Sequence, residues 1–76
     1  MNKERRKAIE VLAGKLDELK GDIDTLLQEE NDYFDNMPES FQNGEKGERA
    51  QAAIDALQEA YDSCEAAFEA LNTATE

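Results

Sequence analysis

Residues 9–38 decide the fold, and they read IEVLAGKLDELKGDIDTLLQEENDYFDNMP. Apolar side chains recur there at alternating steps of three and four, at Ile9, Leu12, Leu16, Leu19, Ile23, Leu26, Tyr33 and Met37. This is a heptad repeat with Ile9 at position a and Leu12 at position d, and only Glu30 interrupts it. Because a residue before proline disfavours the α conformation, the helix should end ahead of Pro38. The pattern therefore predicts one long amphipathic helix over about residues 3–36.

The second half of the chain repeats this spacing. Its apolar residues are Ile54, Leu57, Tyr61, Cys64, Phe68 and Leu71, which predict a helix over about residues 45–73. Residues 37–44 contain the single proline and a glycine, so they predict a turn, with Asn43 or Gly44 as the next N-cap. A connection this short makes the helices antiparallel neighbours. The predicted fold class is all-α, one domain over residues 1–76 that forms an antiparallel, coiled-coil-like two-helix hairpin.

The apolar face of this hairpin is wider than two helices need. Position e of the first helix adds Ala13, Leu27 and Phe34, and position g of the second carries Ala53, Ala60, Ala67 and Ala74. A face of three positions in seven is typical of a multi-helix bundle. A chain of 76 residues with one cysteine also has a small core and no internal disulfide. We therefore expect a homodimer that forms a four-helix bundle. Gly14 and Gly21, both at position f, are either exposed glycines or points of close approach to a partner helix.

The charge of the chain is strongly negative and unevenly distributed. The net charge is −11, with +3 over residues 1–7 and −7 over residues 22–42, where there is no Lys or Arg. Such acidity argues against nucleic acid as a direct ligand and favours a basic protein surface as the partner. The N-terminal cations are expected to lie against the acidic end of the second helix. Its carboxylates are Asp62, Glu65, Glu69 and Glu76.

The residues that catalysis and metal binding need are scarce. The chain has no histidine, and Cys64 at position d is read as a small buried hydrophobe. No segment has the ligand spacing of a calcium-binding EF-hand loop. We therefore expect no enzymatic activity, no cofactor and no metal. No apolar run approaches the length of a membrane span, and one unpaired cysteine suits a reducing compartment, so we expect a soluble, cytoplasmic protein.

The segment of residues 29–41, called the tip below, combines aromatic and acidic side chains. The candidate partner-binding residues are Glu29, Glu30, Asp32, Tyr33, Phe34, Asp35, Glu39 and Phe41. One interpretation is a small apolar cluster that closes the hairpin, with Phe41 folded back on Tyr33 or Met37. The other is an acidic surface with aromatic anchors, a composition suited to a basic protein site. The two interpretations are compatible, since the heptad places Tyr33 and Met37 on the seam, the line of a and d positions where the two helices meet, and Phe34 at the edge of that line.

The sequence around the turn resembles that of a known group of proteins. Residues 32–42 read DYFDNMPESFQ and are followed by Gly44-Glu45-Lys46-Gly47-Glu48 and an alanine-rich helix. This resembles small acidic proteins encoded in phage and prophage genomes, many of which share a Tyr-x-x-Asn-Met-Pro-Glu turn. The chain departs from them at Gly44, where a serine cap is more usual, and at Tyr61 and Cys64, on a seam that is more often aliphatic. The resemblance implies phage origin and, since most of the group has no assigned activity, no functional residue.

Two functions remain after these exclusions. The first is a non-enzymatic acidic module that docks on a basic site of a host protein and inhibits or modulates it. Its carboxylates would then mimic nucleic-acid phosphates, as in counter-defence against a host enzyme. The second is a structural helical bundle that oligomerises and scaffolds other proteins without mimicry. Charge alone does not separate the two, because many soluble helical bundles are acidic.

Overall fold

The computed structural model describes residues 1–76 and contains helices but no strand. Helix α1 spans Lys3–Asp35, α2 spans Glu39–Gln42 and α3 spans Glu45–Ala74. Together they account for 88% of the chain, which confirms the all-α class. Helices α1 and α3 pack side by side into a rod of 58 × 14 × 13 Å. No helix combines the length and the apolarity that crossing a membrane would require.

The helix ends follow local chemistry. Asn2 caps α1, because its Oδ1 accepts a hydrogen bond of 2.7 Å from the backbone N–H of Arg5. At the other end the N–H of Asn36 donates to the carbonyls of Asp32 and Phe34. Gly44 precedes α3 as its N-cap, one of the two residues expected there. The predicted turn over residues 37–44 also contains the single helical turn α2, which sequence reading did not anticipate.

The seam between the long helices uses positions a and e of α1, so position e, predicted only to extend an a/d seam, takes the place of position d. At position e, Ala13 and Leu27 are the buried residues of α1, and Phe34 is half-buried. At position a, Ile9 and Leu16 are half-buried as well. Positions a and e flank the line that faces α3, and position d lies to one side of it. The helix is therefore rotated by a fraction of a turn from the predicted orientation.

This rotation leaves position d of α1 in solvent. We call its four apolar residues the leucine row: Leu12, Leu19, Leu26 and Tyr33. Their exposed fractions are 50%, 51%, 52% and 54%, so none is covered by α3. Tyr33 was expected on the seam and is instead exposed, whereas Phe34 was expected at its edge and belongs to it.

On α3 the seam follows the predicted positions a and d. Ile54, Leu57, Tyr61, Cys64, Phe68 and Leu71 are all half-buried. The alanines at position g form a second row beside this seam, called the alanine row: Ala53, Ala60, Ala67 and Ala74. Ala53 and Ala60 are half-buried and the other two are exposed. Added Cβ atoms at Gly14 and Gly21 would meet nothing within 4 Å, so within one chain both glycines face open space.

Lys20 defines how α1 and α3 are aligned. Its Nζ lies 5.6 Å from the ring centroid of Tyr61 and 5.7 Å from that of Phe68, so Lys20 is level with the middle of this pair. The ammonium also lies 3.9 Å from Asp17. Its side chain is only 19% exposed, with the aliphatic stem in the seam and the charge over the two aromatic faces. A lysine thus occupies a seam position that elsewhere on α1 holds Ala, Leu or Phe.

Candidate protein-docking site

The backbone of the tip is held by hydrogen bonds on both sides of Pro38. The N–H of Met37 donates to the Phe34 carbonyl at 3.1 Å, which tightens the end of α1. The N–H groups of Phe41 and Gln42 both donate to the Pro38 carbonyl, at 2.8 and 3.0 Å, and these bonds form α2. The Nε2 of Gln42 then donates to the carbonyl of Phe34 at 3.0 Å in a partly buried contact. This bond ties α2 back onto the end of α1.

A close backbone approach joins α2 to α3. Gly47, in the first turns of α3, is buried, and a Cβ at this position would overlap the Gln42 carbonyl group. No side chain fits there, so the contact depends on glycine. Sequence reading did not single out Gly47, because a glycine near a helix start has several ordinary explanations. Contacts of Phe34, Gln42 and Gly47 thus bring all three helices together at the tip end of the rod.

The structure separates the candidate residues by exposure. Glu30 and Phe34 are half-buried on the seam side, together with Met37. The other six candidates are exposed: Glu29, Asp32, Tyr33, Asp35, Glu39 and Phe41. Phe41 is 49% exposed, and the Nζ of Lys46 lies 5.3 Å from its ring centroid. The tip therefore presents two exposed aromatics amid four exposed carboxylates, while Phe34 serves the hairpin interior.

The carboxylates of the tip have no cationic partner. The chain contains two salt bridges. Lys20–Asp17, at 3.9 Å, joins two residues of α1, and Arg49–Glu45, at 2.6 Å, joins two residues of α3. None of the seven carboxylates in residues 22–42 takes part in one. Asp24 alone among them accepts a side-chain hydrogen bond, from Gln28 at 2.8 Å. Their summed negative field is therefore directed into solvent, where a basic surface can meet it.

The N-terminal cations are not paired with α3, contrary to expectation. No salt bridge joins residues 1–7 to Asp62, Glu65, Glu69 or Glu76. The alignment explains this, because Lys20 lies level with residues 64–65 of α3. Fourteen residues back along α1, Arg6 would be level with a point beyond the end of α3 at Ala74. Residues 1–8 are all exposed and extend past α3 as a basic overhang.

Neither end of the rod has a set of groups arranged around a bound ion or an enclosed ligand. No three acidic or cysteine side chains lie close enough together to hold a metal ion. The single surface hollow lies on the basic overhang and is lined by Lys3, Arg6, Lys7 and Glu10. No such hollow lies at the tip, which suits contact with another macromolecule better than enclosure of a small ligand. No protein-family model, curated protein or solved structure matches this chain.

Proposed function

We propose that this chain is a non-catalytic binding module whose acidic tip docks on a basic site of another protein. The observation that carries the proposal is a run of seven carboxylates over residues 22–42 without a single ion pair, next to two exposed aromatics. Uncompensated charge on a folded surface costs little in water but attracts an oppositely charged partner and speeds association. Exposed aromatic rings beside it supply the apolar anchors that slow release.

In this proposal each part of the tip has a separate role. Asp32, Asp35 and Glu39 lie on the outer surface and supply the field. Phe41 projects from α2 with half its surface exposed, so a partner can cover it without disturbing the hairpin. The ring of Phe41 already carries the Lys46 ammonium at 5.3 Å, which indicates that it can also stack against a cation of the partner.

The resemblance to small phage proteins suggests the class of the partner. For a phage-encoded protein that acts in the host cytoplasm, the basic site belongs to a host protein, and docking would inhibit or modulate it. A basic channel that binds nucleic acid is the best-matched surface, because the rows of carboxylates would replace phosphates there. The protein itself needs no cofactor for such a role.

A second function, oligomerisation into a structural bundle, is favoured by the exposed leucine row. Four large apolar side chains on one helix face, each at least 50% exposed, are typical of an interface. We therefore propose a homodimer that forms a four-helix bundle, either as the complete function or as the form in which the tip is presented.

The docking proposal is tested with two variants that remove equal charge. In the tip variant Asp32→Asn, Asp35→Asn and Glu39→Gln are combined, and in the control variant Asp55→Asn, Asp62→Asn and Glu69→Gln. All six side chains are exposed. The immobilised chain is exposed to host lysate at low and high salt, a captured protein is identified, and its affinity is then measured with purified components.

We expect the tip variant to lose capture and the control to retain it, with binding weaker at high salt and displaced by duplex DNA. If both variants bind alike, the tip is only a turn. If the control alone fails, the face of α3 is the working surface. If duplex DNA does not displace the bound chain, the docking role is supported and the mimicry of nucleic-acid phosphates is contradicted.

A further inference from the structure

The leucine row and the alanine row lie on the same face of the hairpin. Across α1 the heptad positions run in the order d, a, e, and across α3 they run g, d, a. Because both helices are right-handed and the two run antiparallel, both orders start on one side of the seam and end on the other side. The contact of Lys20, at position e, with Tyr61 and Phe68, at position a, marks one side of the seam. Positions d of α1 and g of α3 therefore share the other side.

The two rows are also level with each other. In the alignment that Lys20 defines, Leu19 is within about one helical turn of Ala67, and Leu26 is equally close to Ala60. The result is a long apolar face that is bordered by the large side chains of the leucine row on α1 and by the small side chains of the alanine row on α3. The half-buried residues of the seam form its floor. Such a face has room for two further helices.

The exposed area agrees with an unfilled interface. The chain has an accessible surface of 5614 Å² and buries only 4 of its 76 residues. A compact monomer of 8.5 kDa would expose about 4,700 Å², so the rod carries roughly 900 Å² in excess. The excess belongs to the elongated shape of the rod. A second copy that covered the ~800 Å² each partner contributes to a standard protein interface would bring the exposed area per chain close to the compact value.

Charge decides how a second copy can lie on this face. Residues 22–60, the half of the rod that includes the tip, hold eleven carboxylates and two cations, a net charge of −9. The other half holds eight carboxylates and six cations, a net charge of −2, and ends in the basic overhang. Parallel copies would place the two −9 halves side by side. Antiparallel copies separate them and bring each basic overhang, at +3, onto the acidic tip of the other copy.

We propose that the apolar face binds a second copy of this chain in antiparallel orientation, with α1 against α1 and α3 against α3. This rests on the dimer proposed above and specifies its geometry. When the leucine rows overlap fully, Leu19 of each copy lies level with Leu26 of the other, and Lys15 lies within one residue of the level of Glu29. The alanine rows meet on the other edge, where small side chains let the two α3 helices approach closely.

The outer side of the tip remains available in this dimer, while the basic overhang of the second copy lies against the side that adjoins the apolar face. Asp32 and Asp35, at positions c and f, lie on the side of α1 away from the apolar face. Tyr33, as part of the leucine row, becomes covered by the second copy. Phe41 then remains as the exposed aromatic of the tip. One dimer accordingly carries two acidic tips, at opposite ends of the rod.

Orientation is tested by cross-linking in a Cys64→Ala background. Lys15→Cys and Glu29→Cys are made as separate single-cysteine chains, since both positions are exposed on α1. Each chain alone, and an equimolar mixture, is treated with a short bifunctional maleimide. We expect a cross-linked dimer in the mixture and almost none with either chain alone. Cross-linking of either chain alone, without excess product in the mixture, would overturn the antiparallel arrangement.

Sedimentation equilibrium of the same chains separates orientation from association. A dimer mass without a cross-link in the mixture contradicts the orientation and leaves the dimer intact. A monomer mass at tens of micromolar contradicts the dimer itself. Neither result bears on whether the tip docks on another protein, since that is measured by capture of the partner.

Charge reversal gives a second readout of the same contact. We expect Lys15→Glu to weaken the dimer about tenfold, because it places two carboxylates nearly level across the interface. The double variant Lys15→Glu with Glu29→Lys restores the opposite charges and should recover affinity. Ala52→Glu combined with Ala66→Glu makes the same change in net charge at two exposed positions f of α3, opposite the seam and outside the apolar face, so this pair serves as the matched control. Equal losses for Lys15→Glu and the control pair, with no recovery in the double variant, would contradict the proposal.

Discussion

Glycine has opposite effects on stability at different positions of this chain. At Gly14 and Gly21 an added Cβ meets nothing within 4 Å, whereas at Gly47 it would overlap the Gln42 carbonyl group. The first two positions are ordinary helix interior, where glycine costs conformational entropy and provides no contact. At Gly47 the absence of a side chain permits α2 to rest on α3. One residue type therefore weakens α1 and allows the tip to close.

The corresponding prediction compares Gly14→Ala with Gly47→Ala. We expect Gly14→Ala to raise the free energy of unfolding by about 1 kcal/mol, because alanine is the better helix former. Gly47→Ala should lower it by about 1–3 kcal/mol, since the backbones must move apart to admit the methyl group. Thermal melts followed by circular dichroism measure both. Equal stabilisation by the two substitutions would show that the approach of α2 to α3 is not as close as described.

Adjacent leucines of α1 differ in the same way. Leu27, 8% exposed, packs on α3, while Leu26, 52% exposed, belongs to the leucine row. We expect Leu27→Ala to cost about 2–3 kcal/mol of stability at any protein concentration, because it leaves a cavity in the seam. Leu26→Ala should stay within about 0.5 kcal/mol of the parent at low concentration, where the chain is monomeric.

At higher concentration the difference in stability between the two variants should narrow. Leu26→Ala should then reduce the gain in melting temperature that the proposed dimer provides, whereas Leu27→Ala should keep that gain. Melts at several concentrations make the comparison. If Leu26→Ala is as costly as Leu27→Ala at the lowest concentration, the seam of α1 uses position d after all.

The two phenylalanines of the tip lie on different helices. Phe34 belongs to the seam and Phe41 to the surface of α2. We expect Phe34→Ala to lower the melting temperature. Phe41→Ala should leave it nearly unchanged and raise the rate of release from the bound partner ~30-fold, the equivalent of about 2 kcal/mol for a lost anchor. Surface plasmon resonance and melting on the same samples test the division. A Phe41→Ala variant with unchanged release would place the anchor elsewhere.

For the whole molecule, association should depend on the field of the tip. We expect Asp32→Asn with Asp35→Asn to slow association and to flatten its dependence on salt, with little change in the release rate. The reason is that exposed charges mainly steer the encounter, over a distance that salt shortens. Stopped-flow measurements over a range of salt concentrations give both quantities. A change confined to the release rate would mean that these carboxylates make direct, desolvated contacts.

For the whole molecule, the melting temperature should also rise with protein concentration. A second copy that binds only the folded chain stabilises it by mass action. The small core of one hairpin, with three buried apolar residues, makes this contribution large relative to the total. A melting temperature that is independent of concentration up to tens of micromolar would contradict the dimer.

The amino-acid sequence by itself determined the helical class, the two long helices and the location of the connection. Heptad spacing and a single proline are local signals, so they can be read without knowing what the helices touch. The same holds for the acidic composition of the tip. On α3 the seam positions were also predictable, because Ile54 to Leu71 provide one apolar line and the alanines beside them are small.

Only the tertiary structure decided which side of α1 faces α3. Positions d and e both adjoin position a. Position d is apolar in every heptad whereas position e includes Ala13 and Lys20, so periodicity favours d, and the structure uses e. The choice depends on packing against α3, including the stacking of Lys20 on Tyr61 and Phe68. The exposure of the leucine row, the unpaired basic overhang and the closeness of Gly47 to Gln42 all follow from that alignment. Each is a relation between residues far apart in sequence, and local spacing contains no information about it.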